Sequence, residues 1–368
     1  MKTLSSPSPR FWRGKRIFLT GHTGFKGGWL ALWLKQLGAS VYGYSLTPPT
    51  TPNLFTLARV EESLAEHRIG DIRDLAALQS AMAARKPDIV FHLAAQPILR
   101  LSYDQPVDTY ATNVMGTVNV LEAVRCIPSA RVTLVITTDK CYENREQIAP
   151  YVETDAMGGH DPYSSSKACA ELVTSAYGRS FFSEGKACVA SARAGNVIGG
   201  GDWARERLMT DIIAALTNKQ NPILRHPNAI RPWQHVLEPL CGYLLAAEEL
   251  WNAMPKAPTA WNFGPENESE VSVVTVTENM CRLWGGGQEP EIAPDARKLH
   301  EAKLLRLDST KAKTELGWAP RLNLVQALAL TVDWYRAHLE GADMQKTTRE
   351  QIAHYQDLAS LTLKEKVA

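Results

Sequence analysis

Arg16-Ile17-Phe18-Leu19-Thr20-Gly21-His22-Thr23-Gly24-Phe25-Lys26-Gly27-Gly28-Trp29 is the stretch that decides the fold of this chain. A short apolar run passes directly into glycines at 21, 24 and 27, and then into a helical apolar run over 29–37. Strand, glycine turn and helix in that order let the backbone approach an anion closely. The first turn of the helix then offers free N–H groups and the positive end of its dipole. A dinucleotide pyrophosphate fits that description; an ordinary glycine-rich turn is the other reading of the same residues.

Downstream, strand-like and helical runs alternate. The second strand, 40–44, ends without an acid for the adenosine ribose or an arginine for a ribose phosphate, so this position leaves NAD against NADP open. Ser45, Thr47 or Asn53 are the candidate ribose partners, and 47–52 is a proline-rich loop. A third strand ends near Asp71, placed either to accept from the adenine amino group or to cap the helix Leu75–Arg85, where Asp74 is the better cap. Residues 88–95 are near-continuously apolar, as a buried parallel strand requires, with His92 a satisfied strand-end histidine and Leu93-Ala94-Ala95 small enough for a ligand to lie on backbone. The spacing of Val107, Tyr110, Val114, Val118 and Leu121 predicts one long helix over 106–125. Asn113 inside it is either solvated or orients a catalytic lysine through water. Val132–Ile136 is a fifth strand and 188–193 a sixth. The fold expected is α/β, a Rossmann-type doubly wound parallel sheet with a smaller α/β C-terminal substrate lobe.

The fifth strand delivers Thr137-Thr138-Asp139-Lys140-Cys141-Tyr142 at its C-terminal end, where open α/β sheets bind ligands. Hydroxyl, carboxylate and amine stand side by side there, and Tyr163-Ser164-Ser165-Ser166-Lys167 follows. Bulk properties narrow the partners. A formal charge of +1, from 40 basic and 39 acidic residues without a basic block, argues against nucleic acid. No apolar run reaches the roughly 18 residues that span a bilayer. Six scattered cysteines without CxxC read as reduced thiols of a cytoplasmic protein, and nine histidines without ligand spacing imply no metal. The 368 residues divide into a flexible tail at 1–10, a dinucleotide-binding domain at 11–195 to which about 230–265 returns, a substrate lobe at 196–340, and a polar extension at 341–368.

Gly21-x-x-Gly24-x-x-Gly27, Asp71, Leu93-Ala94-Ala95 and Tyr163-x-x-x-Lys167 together resemble the extended short-chain dehydrogenase/reductase superfamily over 12–336. Within it, Thr138-Asp139-Lys140 resembles the nucleotide-sugar 4,6-dehydratases, which usually carry Thr-Asp-Glu; Lys140 stands where the acid is expected. The stretches 193–203 and 231–236 extend that resemblance.

The resemblance implies NAD as cofactor, held at the glycine turn by Gly21, Thr23, Gly24, Phe25, Lys26 and Gly27. Asp71, Ile72, Leu93, Ala94, Ala95 and Thr112 would hold the rest, with Tyr163 and Lys167 at the reacting end. It implies an internal redox loop on a nucleotide sugar. Tyr163, with a pKa lowered by Lys167 and the nicotinamide charge, takes the C4 hydroxyl proton while Thr138 bonds the same oxygen. Asp139 is the expected acid for the departing C6 hydroxyl. Lys140 acts either as the C5 base or as a cation for the enolate, and a salt bridge to Glu143 or Asp139 is its bland alternative. Asn196, Arg207, Leu208 and Arg231 are expected at the diphosphate, with Arg231 as bidentate clamp. His300 and Glu301 are candidates for base or ribose. The resemblance implies a homodimer or dimer of dimers built on the helices at 106–125 and 163–177; Ala168, Leu172 and Val173 allow it, and burial against the chain's own sheet is the equal alternative for them. A 4-epimerase, which needs only the redox set, and a non-catalytic dinucleotide-binding regulator are the competing readings.

Overall fold

The computed structural model of the chain describes residues 4–182, 187–254, 259–293 and 304–365. Its centre is a seven-stranded parallel sheet built from β1 (Arg16–Thr20), β2 (Ser40–Ser45), β3 (Glu66–Ile69), β4 (Ile89–His92), β5 (Val132–Ile136), β6 (Cys188–Ala194) and β7 (Thr259–Phe263). The spatial order is β7-β6-β5-β4-β1-β2-β3. Strand order reverses between β1 and β4, and a crevice opens there at the carboxyl ends of the strands. β4 and β5 are buried at every position, which is why their sequences read as unbroken apolar runs. Helices Phe25–Gln36 and Leu237–Ala253 cover one face; Leu75–Arg85 and Gly116–Arg125 cover the other.

Two smaller sheets form the second lobe. Asn196–Ile198, Ile230–His235 and Glu270–Ser272 make one, and Ile223–Leu224 pairs with Glu291–Ile292 in the other. β7 carries the chain back to the main sheet, with Asn262 opposite Arg193. Leu304 and Leu307 make isolated bridges, to Ile230 and Tyr151.

Three expectations are corrected. The segment 106–125 is interrupted by a π-helical turn, Ala111–Met115, between Pro106–Tyr110 and Gly116–Arg125. The described part of the expected flexible tail is docked. Ser8 N–H donates to Glu248 at 2.8 Å, and the short helix Pro9–Trp12 buries Trp12, whose indole N–H reaches the same carboxylate at 2.6 Å. The polar extension is a helix, Met344–Glu365, packed on its own chain. It buries Ile352 and Tyr355, and Thr348 accepts from the indole of Trp334 at 2.9 Å. Its charged residues hide an apolar stripe that composition alone averages away.

Candidate active site

One cleft of about 580 Å³ runs from the end of β2 across the crevice into the second lobe. All the sequence-predicted site residues among the described ones line it. His300 and Glu301 lie outside the described residues.

The glycine turn forms one wall. Gly21 has φ +79°, and a Cβ there would lie 2.7 Å from Ala94 N. A Cβ on Gly27 would lie 2.1 Å from Gly21 O, so the turn and the helix pack too closely for any side chain. Gly24 is the N-cap of the helix Phe25–Gln36, which therefore begins at the cleft. Thr23 ties this turn to β2 through Ser45 Oγ at 2.8 Å and Leu46 O at 2.9 Å. Asn53 does not serve as a free ribose partner: it caps the helix Leu54–Leu57. Asp74, not Asp71, caps Leu75–Arg85; Asp71 lines the cleft in a 2.7 Å ion pair with Arg73, which holds its carboxyl below the usual range. Ile72 and Thr112 complete this end.

At the next strand end, Thr20 Oγ1 bonds His92 Nδ1 at 2.8 Å and accepts from the N–H groups of Leu93 and Ala94. Burial pushes the His92 pKa down to about 3, so the ring is neutral and structural. Asn113 is buried, so of its two readings the solvated one is overturned. Its side chain accepts from Gln96 N–H at 2.8 Å and donates to Ser166 Oγ at 2.9 Å, bracing the loop after β4 against the helix Pro162–Phe181.

The reacting end is built where β5 meets that helix. Thr138 Oγ1 donates to Asp139 Oδ1 at 2.9 Å, and the Lys140 backbone N–H donates to Thr138 Oγ1 at 3.3 Å. Lys140 Nζ lies 3.8 Å from Asp139 Oδ1, while Glu143 pairs with Arg145 at 2.7 Å. Lys167 Nζ donates to Ile136 O at 3.2 Å, and burial pushes its pKa down to about 8 despite Glu171 one turn on. Tyr163 lines the cleft beside them. Burial pushes the phenol up to about 12, with its hydrogen bond to Thr138 pulling only partly back. Lys26 extends from the first helical turn toward this cluster. Burial, then Arg207 and Lys167, push its amine down to about 7 against the pull of Asp139 and Asp202.

On the second lobe, Arg207 pairs with Asp202 at 2.7 Å just before Leu208 opens the helix Leu208–Thr217. Arg231 is buried and donates to Ile230 O at 2.9 Å, and Asn196 faces Trp233 in the small sheet.

Sequence reasoning missed the floor beneath Thr137 to Tyr142. Glu171 and Arg193 form a buried 2.7 Å ion pair; Thr137 and Ser191 donate to Glu171, and Arg193 donates to Tyr142 Oη at 2.7 Å. The available signal was Glu171 four residues after Lys167, on the same helix face.

The GDP-mannose 4,6 dehydratase family model matches residues 18–331. The chain belongs to the GDP-mannose 4,6 dehydratase family. Within that family of dehydratases it is 49% identical over 350 residues to the CDP-glucose 4,6-dehydratase of Salmonella typhimurium, covering 94% of this chain and 97% of that one. The dTDP-glucose 4,6-dehydratase 1 of Escherichia coli is 27% identical over 326 residues, 80% of this chain and 85% of that one. Among solved structures, dTDP-glucose 4,6-dehydratase from Bacillus anthracis in complex with NAD shares the fold, with TM-score 0.73 and 22% identity over 90% of this chain and 100% of that one. UDP-glucose 4-epimerase from Thermotoga maritima, with UDP-glucose, does so at TM-score 0.75 and 22% identity over 88% of this chain and 99% of that one. This dehydratase family fold therefore also carries epimerases.

Proposed function

We propose that the chain is an NAD-dependent CDP-glucose 4,6-dehydratase, a hydro-lyase that converts CDP-D-glucose to CDP-4-keto-6-deoxy-D-glucose and water. The observation that carries this reading is the 49% identity along 94% of the chain. The cleft that joins Thr138, Asp139, Lys140, Tyr163 and Lys167 supports it.

The glycine turn fits a dinucleotide: no side chain can occupy Gly21 or Gly27, and the helix N-terminus beside them suits a pyrophosphate. NAD, when bound, supplies the acceptor and later donor of one hydride. Lys26 and the N–H groups of the turn hold the phosphates, Asp71 and Ile72 face the adenosine, and Leu93, Ala94, Ala95 and Thr112 flank the remainder. Tyr163 takes the proton of the C4 hydroxyl, with Thr138 bonded beside it and Lys167 fixed against Ile136 O. Asp139 protonates the departing C6 oxygen. Lys140, the nearest cation to Asp139, acts at C5. Asn196, Arg207 and Arg231 hold the sugar-nucleotide diphosphate, with Leu208 against the sugar nucleotide.

Asp139 and Lys140 beside the redox set favour elimination over 4-epimerisation, which needs neither. A regulator without turnover has no use for Tyr163 and Lys167 in the same cleft. The six unpaired cysteines suit a reducing cytoplasm. The product class supplies deoxysugars for polysaccharides such as lipopolysaccharide O-antigen. Two copies of the chain pair through the outer faces of the helices at 106–125 and 162–181.

Incubation with NAD and, separately, CDP-, dTDP-, GDP- and UDP-glucose tests the reading through the alkaline chromophore of a 4-keto-6-deoxy sugar. The expected result is product from CDP-glucose at the highest kcat/KM. Absence of product from all four sinks the dehydratase reading.

A further inference from the structure

Given the dehydratase reading above, the reaction needs two sets of groups in register: Tyr163 and Lys167 on the helix Pro162–Phe181, and Thr138, Asp139 and Lys140 at a single turn after β5. That turn, Asp139–Cys141, is three residues long. So short a turn does not hold itself, and its position depends on what holds its ends.

Both ends are held from behind by one ion pair. Glu171, on the helix one turn after Lys167, pairs at 2.7 Å with Arg193 on β6. Both side chains are buried, and neither lines the cleft. Glu171 Oε1 accepts from Thr137 Oγ1, at the first end of the stretch. Its Oε2 accepts from Ser191 Oγ at 2.6 Å and from Arg193. Arg193 Nη1 donates to Tyr142 Oη at 2.7 Å, at the other end, and to Glu153 O at 3.0 Å. Tyr142 in turn donates to Asn262 Oδ1 at 2.7 Å, and its ring stacks on Tyr151. Two charges withdrawn from water gain little net stability from each other, and an apolar pair of similar volume is often as stable. An apolar pair, however, has no directed hydrogen bonds with which to fix two polar ends.

We propose that Glu171 and Arg193 are positioning residues for the dehydratase reaction: the ion pair clamps Thr137 and Tyr142, and so fixes the turn that carries Asp139 and Lys140 against the helix that carries Tyr163 and Lys167. The clamp sets the spacing between the redox pair and the elimination pair, because one carboxylate is rooted in the helix of the first and bonded to the strand end of the second. Another bond to that carboxylate serves as an internal control. Ser191 lies on β6 and donates to Glu171 as Thr137 does, yet it stands outside the stretch Thr137–Tyr142.

Glu171→Gln would leave the Arg193 charge buried without a counter-ion, which can unfold the chain for reasons unrelated to the turn. The test therefore removes single bonds. Thr137→Val and Tyr142→Phe are each expected to lower kcat on CDP-glucose by about 10- to 100-fold, with KM within about 2-fold of wild type, and Thr137→Ser to restore kcat. Ser191→Ala is expected to lower Tm as Thr137→Val does while keeping kcat within about 2-fold of wild type. Equal losses of kcat in Ser191→Ala and Thr137→Val, or no loss in Thr137→Val, overturn the clamp. Hydrogen exchange followed by mass spectrometry reads the clamp without turnover. The amides of 138–142 are expected to exchange faster in Thr137→Val and Tyr142→Phe and at the wild-type rate in Ser191→Ala. Unchanged exchange there in both clamp variants overturns the proposal. A wild-type protein inactive on all four nucleotide sugars counts against the dehydratase reading instead, and the exchange rates still decide the clamp.

Discussion

Lys140 stands where related dehydratases usually carry an acid, and its surroundings narrow what it does. Of its two expected ion-pair partners, Glu143 pairs with Arg145 instead, while Asp139 Oδ1 forms the ion pair with its amine at 3.8 Å on the cleft wall. Lys140 either takes the C5 proton as a neutral amine or, as an ammonium, holds the enolate that the loss of this proton creates. Lys140→Ala is expected to abolish exchange of the C5 proton with deuterated solvent while bound NAD is still reduced by CDP-glucose, as read at the nicotinamide absorbance. Turnover is expected to fall by about 100-fold or more. Unchanged turnover removes Lys140 from the reaction. Thr138, Asp139, Lys140, Tyr163 and Lys167 were legible because the motif around each is short and the strand end is predictable. The environment of Tyr163 was not: its pKa depends first on burial and also on charges brought from distant positions, Asp139 and Arg207 among them, which no local pattern encodes. Glu171 and Arg193 escaped for a similar reason, since their pairing joins a helix to a strand across 22 positions.

The helix Leu237–Ala253 shows what a single element does for both chain ends. Its Glu248 holds the N-terminal segment and its Glu238 holds the C-terminal helix. Glu238 accepts from Tyr355 Oη at 2.6 Å and from the N–H groups of Arg321 and Leu322, each at 2.8 Å. Burial outweighs these bonds and pushes its pKa from 4.5 up to about 7. The folded state thus binds this proton more tightly than the unfolded chain. The stability so gained is complete below pH 4.5 and is lost as pH rises through about 7. Glu238→Gln removes the titration, so wild type is expected to lose Tm relative to the variant between pH 4.5 and 7, by calorimetry. Parallel Tm curves across that window would show that Glu238 does not titrate there. The strands and the helix after the glycine turn were readable from period and punctuation, because those signals are local. Both termini were misread because their anchors are tertiary, Trp12 lying 236 positions from Glu248 and Tyr355 117 from Glu238.

For the whole molecule, the apolar surface that folding leaves uncovered is the informative quantity. Of the three residues expected at a subunit interface, Ala168 is buried within the chain and Val173 packs on its own core, so monomeric folding accounts for both. Leu172 is different: it is 58% exposed on the helix Pro162–Phe181. Val107 and Met115 are exposed on the neighbouring helical segment, 79% and 53%, and Tyr110 Oη bonds Ser165 Oγ at 2.6 Å, which holds the two elements side by side. Scattered single apolar residues need no explanation, but two adjacent helices that both present them form a surface suited to a second copy. A stable isologous pair buries about 1,200–2,000 Å² in total. Leu172→Glu puts a charge on this surface, with little effect on a monomer that leaves the side chain exposed. Light scattering after size exclusion is expected to give a dimer or a dimer of dimers for wild type and a smaller species for the variant, with Tm lowered by no more than the loss of the interface. A wild-type monomer, or a Leu172→Glu variant of unchanged mass, removes this surface from the assembly.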